Sequence, residues 1–470
     1  MQGVRHVSSH FEEKTFTTGI ESLDRLIGAI RAPYTILVAG HPGAGKTTLA
    51  STICYHNALK GRKCLYVTFY EDKDKLYSYM KKLGMPLSEV ESKGLMRFLK
   101  LPAIHDVDSV VDVLNKNVIE GFDLIVIDSI TVLLEAVKDH TEKRAWLLNY
   151  FYQLPILVNG LLVLVSELPF GEERLGLGSI EFVVDAILIL KHRVEDRLLL
   201  RLLEIRKARG APIHVAEVPF TIAEGRGLLV YTQPVLEELP PEREAIELTC
   251  SALRSRVGHV HKDFFINIFY PPETVYGERA LIMLLAQAIK YNLKILVVSY
   301  ISSPELLREL LLWILEERGL SRDVVEKVID RYLVFRGINP FAYNVHELVM
   351  KELALVEEVK PDIVVFHGVQ VVEVPIYHFK ELYKQVLYLK SRGIGIVRVG
   401  SCINDVVCDS VASIADLTLK VKREYREKHV DTRVIVLRRF HPPSIITDEE
   451  DLECFEENIN TIVQEVSKQA

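Results

Sequence analysis

The stretch "ILVAGHPGAGKTTLA" at 36–50 constrains this chain more than any other. Gly40, Gly45, Lys46 and Thr47 follow the spacing G-x-x-x-x-G-K-[ST], between an apolar strand-like run, Thr35–Ala39, and a helix-like one from Lys46 onward. Glycine is required because backbone N–H groups must close around phosphate oxygens with no side chain in the way. The helix that follows aims its positive end at the same anion. Gly40, His41, Pro42, Gly43, Ala44, Gly45, Lys46, Thr47 and Thr48 are therefore the expected phosphate cradle. In it Lys46 reaches the β and γ phosphates and the Thr47 hydroxyl ligates Mg2+.

Two more apolar runs end in carboxylates. "FDLIVIDSIT" at 122–131 delivers Asp128 to the tip of a buried-type strand, at the carboxyl end of a parallel sheet, where nucleotide clefts form. A carboxylate there holds Mg2+ directly or through water; a plain turn residue is the alternative. "CLYVTFYED" at 64–72 ends in Tyr70, Glu71 and Asp72. A carboxylate at that place either polarises the water that attacks a γ-phosphate or is a solvated strand end.

At 470 residues the chain exceeds what one hydrophobic core serves, so two domains of about 200–240 residues are expected. With 49% hydrophobic and 26% charged residues it is globular rather than disordered. A net charge of −7 advertises no basic surface and counts against a dedicated nucleic-acid binder. Cysteines at 54, 64, 250, 402, 408 and 454 form no zinc pattern and read as reduced, partly buried thiols. A polar start and apolar runs interrupted before ~18 residues predict no signal peptide, no membrane span and a cytoplasmic chain. Eight glutamines beside abundant Glu, Lys, Arg and aliphatics hint at a thermophile.

The order "TTGIESLDRLIG" (17–28), "GHPGAGKTT" (40–48), "VTFYED" (67–72), "LIVIDSIT" (124–131), "VSE" (165–167), "RLLEIRKARG" (201–210) and "EVPFTI" (217–222) resembles the KaiC-like branch of the RecA superfamily. The resemblance implies an ATP-binding α/β domain with a central, mostly parallel sheet, in a family that often builds hexameric rings. It implies nucleotide held between neighbouring copies, with Lys207 and Arg209 reaching the adjacent subunit's phosphates. Cations delivered in this way neutralise charge growing on the γ-phosphate. On the motif alone, Lys207 and Arg209 also read as an exposed charged strand end. One departure stands out. The family usually has two glutamates after V-T-F, and here the first is Tyr70, which leaves Glu71 as the lone catalytic carboxylate.

After a Pro- and Glu-rich connector, "TQPVLEELPPEREAIEL" (232–248), the plan of the first half repeats. The expected division is an ATP-binding domain at 1–233, a linker at 234–248 and a degenerate RecA-like domain at 249–470. "KILVVSYISS" (294–303) parallels 63–72 at an offset of 231, and "PDIVVFHG" (361–368) parallels 122–129 at an offset of 239. These alignments put Gly277 at Lys46, Ile301, Ser302 and Ser303 at the three carboxylate positions, and His367 at Asp128. "RVIVLRRFH" (433–441) aligned on 201–209 puts Arg439 at Lys207 and His441 at Arg209. His259 and His261 share a strand face and read as surface. The acidic C-terminal segment predicts an amphipathic helix with Leu452, Phe455, Ile459 and Ile462 or Val463 on its buried face.

The leading functional expectation is a slow, KaiC-like ATPase of signalling or regulatory role, with ATP and Mg2+ at a subunit interface of a homo-oligomer and a protein partner met through the second domain. A DNA recombination or repair accessory of RadA or RecA type is a rival. Its expected DNA-gripping segment, 167–182, carries Gly171, Gly176 and Gly178 but only Arg174 against Glu172 and Glu173, so nucleic acid is not favoured. A second rival is an ATP-gated scaffold without turnover, like archaellum-associated relatives of the family. Autokinase activity, which some clock relatives have, finds no residue here that favours it.

Overall fold

The computed structural model describes residues 14–102, 107–118, 120–169, 180–195, 197–213, 215–230, 245–272, 276–372, 379–402, 404–425 and 430–469. The chain forms two compact units, Met1–Thr232 and Gln233–Ala470. Both are α/β, with large and mostly parallel sheets of the RecA-like P-loop kind.

In the first unit the sheet strands are β1 (Tyr34–Gly40), β2 (Cys64–Thr68), β3 (Met96–Lys100), β4 (Leu124–Asp128), β5 (Leu161–Glu167), β6 (Ala186–Glu195), β7 (Leu198–Ala208), β8 (Glu217–Ala223) and β9 (Gly227–Val230). Their spatial order is β3-β2-β4-β5-β1-β6-β7-β8-β9. Strands β3 to β6 in that order run parallel, and β7, β8 and β9 continue as an antiparallel meander. β1, β2 and β4 are buried along their whole length. Helices covering both faces demand such unbroken apolar runs. Alternate residues feed two cores, Ile36, Val38 and Tyr66 on one side of the sheet and Leu37, Leu65 and Ile125 on the other.

The second unit repeats this topology, with no counterpart of β9 among the described residues. Its strands are β10 (Phe265–Tyr270), β11 (Ile295–Ser299), β12 (Leu333–Gly337), β13 (Ile363–His367), β14 (Gly395–Ser401), β15 (Leu417–Tyr425), β16 (Val430–Arg438) and β17 (Ser444–Ile446). The order β12-β11-β13-β14-β10-β15-β16-β17 matches β3-β2-β4-β5-β1-β6-β7-β8. The small antiparallel pair in front of β1, Thr15–Phe16 with Ile30–Arg31, also has its counterpart in Ala245–Glu247 with His259–His261. Those first residues therefore belong to the second unit and not to a linker, because Ile246 and Leu248 are buried in its core. Most of the Pro/Glu-rich stretch, 231–244, lies outside the described residues.

The register corrects one sequence alignment. The Arg209 N–H donates to the Asp185 carbonyl, and in the second unit the Arg439 N–H donates to the Asp416 carbonyl. Arg439 thus corresponds to Arg209, and Lys207, which pairs with Ile187, corresponds to Leu437, which pairs with Thr418. The sequence match is two residues off at this turn; Arg206 bulges out between the Ile187–Lys207 and Leu188–Ile205 pairs, whereas β15 and β16 pair without a break, which accounts for one of the two.

The C-terminal helix, Asp448–Gln469, packs on the helix Tyr276–Tyr291 that follows β10. Ile459 and Ile462 are buried as expected, and Val466 with them, but Leu452 is half exposed. Asp451 takes the inward place instead, bound by Arg279, and Cys454 one turn on is joined to Cys250. The cysteines are a correction as well. Cys54 pairs with Cys64, Cys250 with Cys454 and Cys402 with Cys408, so none of the six is a free thiol. Partners 204 residues apart meet only once the sheet is built, which spacing cannot reveal.

The Cys250–Cys454 bridge closes a long loop and should stabilise the second unit by roughly 3–5 kcal/mol through the unfolded chain. The two tryptophans, Trp146 and Trp313, fall one in each unit, so Trp313 fluorescence in a Trp146→Phe background follows the second unit. Cys454→Ser should lower its urea midpoint, and reductant should do the same to the parent. An unchanged midpoint in both would mean that this pair is not bonded in solution.

Candidate functional site

The carboxyl ends of β1, β4 and β5 converge at the head of the helix Lys46–Leu59. Gly40 is dictated by crowding. The chain pairs with β6 to its last residue, and a Cβ on Gly40 would overlap the Leu190 carbonyl. Beyond it, Gly43 (φ 75°) and Gly45 (φ 103°) hold left-handed conformations. A Cβ on Gly45 would lie 2.8 Å from Ile222, whereas at Gly43 it would meet nothing within 4 Å. The loop is therefore tight behind and open in front. No side chain caps the helix that starts at Lys46, which leaves its positive end to an anion.

Lys46 is buried and donates to the Glu167 carboxylate at 2.8 Å and to the His41 carbonyl at 2.9 Å. Thr47 Oγ1 donates to Asp128 Oδ2 at 2.9 Å, and the Tyr66 hydroxyl donates to the same oxygen at 2.8 Å. Burial pushes the Asp128 carboxyl above its ordinary range, with the Tyr66 and Thr47 hydrogen bonds pulling the other way. A hydroxyl and a carboxylate side by side are hard oxygen donors of the kind Mg2+ takes, so the residues present fit that ion. Burial, with His192 and Lys191 nearby, holds the His41 imidazole below its ordinary value, so it is neutral in the loop at pH 7.

The three carboxylate-region residues separate into three situations. Tyr70 is 69% exposed and brings no acid to the cleft. The Glu71 carboxyl is pushed up by burial and by the Asp128 charge, which marks it as close to the metal-type site. Asp72 caps the helix Lys73–Lys82, accepting from the N–H groups of Asp74 and Lys75, and this accounts for it structurally.

Lys207 and Arg209 stand elsewhere. Lys207 Nζ donates to the Glu181 and Val184 carbonyls at 2.8 and 2.7 Å, and Arg209 binds Asp185 at 3.1 Å and the Phe182 carbonyl at 3.0 Å. Both lie where β6 begins, whereas the loop lies beside Leu190, about 10 Å further along that strand. Neither is brought to Lys46 within the chain. Burial and the Arg209 charge lower the Lys207 pKa from its ordinary value.

Sequence reading missed Glu167 and Tyr66. Glu167 ends the apolar run Leu161–Ser166 as Asp128 ends its own, so the same signal was available. Tyr66 sits in an apolar run that reads as core, and only the fold turns its hydroxyl onto Asp128.

The equivalent cleft of the second unit is filled. Tyr270 stands at the Gly40 position and fits there because β10 leaves β15 one residue earlier, after the Phe269–Lys420 pair. The helix after the loop starts at Lys46 in the first unit and at Tyr276 in the second, so Gly277 falls at the Thr47 position and not, as the sequence match had it, at Lys46. A Cβ added to Gly277 would lie 3.1 Å from Tyr270 Oη and 3.7 Å from His367 Nε2. His367 Nδ1 is 3.1 Å from Ser299 Oγ, and burial lowers the imidazole pKa to about 4. A neutral, packed histidine thus replaces the metal-type carboxylate.

Because burial raises the Asp128 pKa, its charged form weakens the fold above that raised value, and the cost vanishes as pH falls below the unfolded value. Asp128→Asn should therefore raise the melting temperature of nucleotide-free protein at pH 8 but not at pH 3.5. It should also weaken Mg2+-dependent ATP binding by about tenfold or more. A fall in melting temperature at pH 8 would refute the electrostatic account of this residue.

Comparison with known proteins agrees with this geometry. The KaiC ATPase family model matches residues 16–235. A UPF0273 protein of Pyrococcus horikoshii is 25% identical over 241 residues, covering 47% of this chain and 95% of the relative. The circadian clock protein KaiC3 of Synechocystis is 23% identical over 396 residues, covering 76% of this chain and 72% of that protein, and so extends into the second unit. The circadian clock oscillator protein KaiC of Picosynechococcus is 22% identical over 226 residues, or 47% of this chain and 44% of its own length. The first unit of this chain belongs to the KaiC family of ATPases.

Proposed function

We propose that the first unit binds ATP with Mg2+ and hydrolyses it slowly, in a homo-oligomer whose neighbouring copy completes the site. The observation that carries this reading is the convergence of the open glycine loop, Lys46, Thr47 and Asp128 at one strand edge. Mg2+ would be held by Thr47 and Asp128 and supplies neutralisation of phosphate charge. Lys46 exchanges its bridge to Glu167 for the β and γ phosphates. Glu71, alone where the family has two acids, orients the attacking water and accepts its proton. Its raised pKa suits proton acceptance, but one carboxylate instead of two argues for a low rate.

Completion by a neighbour is supported by position. Lys207 and Arg209 sit at the end of β7 that lies away from their own glycine loop, so a nucleotide that they serve belongs to another copy. The likeness to circadian clock proteins supports a signalling or regulatory role, with the second unit as the surface for a protein partner. One observation favours a second reading, an ATP-gated scaffold without turnover: exposed Tyr70 contributes no acid at the first catalytic position. The DNA-binding reading gains nothing, since 170–179 of its expected gripping segment lies outside the described residues. Among the described residues no helix is long and apolar enough to cross a membrane.

ATP turnover per chain should climb with protein concentration and then level off, with Lys46→Ala as the blank. Arg209→Ala should cut the plateau by about 10³. Mixing the Lys46→Ala and Arg209→Ala proteins should restore turnover, because one supplies the arginine and the other the loop. Failure of the mixture to recover, from variants shown to co-assemble, would refute completion in trans. Bound ATP with no turnover in the parent would select the scaffold.

A further inference from the structure

The second unit has a cavity of about 410 Å³ away from Tyr270 and His367, around the turn that corresponds to Arg209 and Gly210 of the first unit. The short strand His259–His261, the helix Phe379–Ser391 and the turn Arg438–His441 wall it. Three features set this region apart from its equivalent in the first unit.

The first is a released arginine. Arg209 binds Asp185, and Asp185 also accepts the Thr35 N–H. In the second unit Asp416 likewise accepts the Phe265 N–H, but its ion pair is with Lys390 at 2.8 Å. Arg439 loses that partner. Among the described residues its guanidinium has no ion pair or side-chain hydrogen bond and lies over the Phe440 ring at 5.9 Å. The second is Phe440 itself. It holds φ 63° where the first unit has Gly210 at φ 84°, yet it is 96% exposed. A non-glycine residue strained in this region gains nothing here from burial, and such outliers point to function rather than folding. The third is charge. Arg438, Arg439 and Lys390 face the cavity against two carboxylates, Asp263 and Asp416, with His259, His261 and His441 also in its wall.

We infer that this cavity binds a nucleoside phosphate, with the ring stacked on Phe440 and the phosphate held by Arg439 and His441. The cavity lies within the size range of small-ligand sites. An exposed aromatic ring backed by a guanidinium is a stacking platform for a base, and a free guanidinium recognises phosphate through paired N–H donors. His441 Nδ1 is 3.0 Å from the Arg439 carbonyl, which fixes the imidazole beside the same turn. Nothing at this cavity depends on the first unit's activity.

Equilibrium dialysis of the full chain against radiolabelled ADP with Mg2+ tests it. Two sites per chain are expected, one weakened by Lys46→Ala and the other, about tenfold or more, by Arg439→Ala. Phe440→Gly should weaken the second site similarly while leaving the melting temperature no lower, because glycine relaxes the strained φ. A single site that Lys46→Ala removes, or a second site indifferent to both Arg439→Ala and Phe440→Gly, would overturn the proposal. Pyrophosphate competing as well as ADP would overturn the ring contact, and adenosine competing as well would overturn the phosphate contact. If the first-unit reading alone were wrong, one site would remain that ignores Lys46→Ala and responds to Arg439→Ala.

Discussion

The contact on which the site depends is a backbone one, the approach of Gly40 to the Leu190 carbonyl where β1 stays paired with β6 to its end. Only a residue without Cβ survives there, and its absence of bulk lets the chain turn sharply into the open loop before Lys46. The cost is an end of the strand with no side chain to pack. The gain is a loop open at Gly43 and flanked by Lys46, Thr47, Asp128 and Glu167. Lys46 meets Glu167 in this structure, so a buried ammonium is never left without a counter-charge, and entry of an anion replaces one partner with another.

In the second unit that contact is relaxed, and the cleft closes. β10 parts from β15 one pair sooner, Tyr270 takes the space, and its hydroxyl closes on the backbone at Gly277. Once the cradle is filled, a carboxylate at the tip of β13 would be a buried charge without a cation, which is costly. His367, kept neutral by burial, avoids that cost. The strands behind the cleft are unaffected, because their residues serve the two apolar cores and never touched the phosphate end. Fold and chemistry could therefore part without loss of the topology.

Much of this was legible in the chain, for identifiable reasons. Buried parallel strands are continuous apolar runs, so β4 and β13 could be matched directly, and the glycine loop has a spacing that few other structures require. The position of His367 follows from the match of β4 and β13, whereas Gly277 was set one residue off, since the helix that begins at Lys46 in the first unit begins at Tyr276 in the second. Arg439 was misplaced by two residues, one of them the bulge at Arg206, which shifts one strand and leaves no mark in composition. Leu452 was put inside because helical spacing ranks Leu above Asp, whereas the Arg279 ion pair draws Asp451 inward. The Cys250–Cys454 pair was invisible for want of any local signal across 204 residues. Long-range pairing, not local propensity, decided each of these.

Amide hydrogen exchange of the full chain with and without ATP and Mg2+ tests the central claim, that the two units share a fold but only the first keeps the nucleotide cleft. Slower exchange is predicted at 41–49 and 126–130, with no change at 268–281 or 363–369. Equal protection of both sets would mean that Tyr270 and His367 do not close the second cleft, and the account of its loss would be wrong.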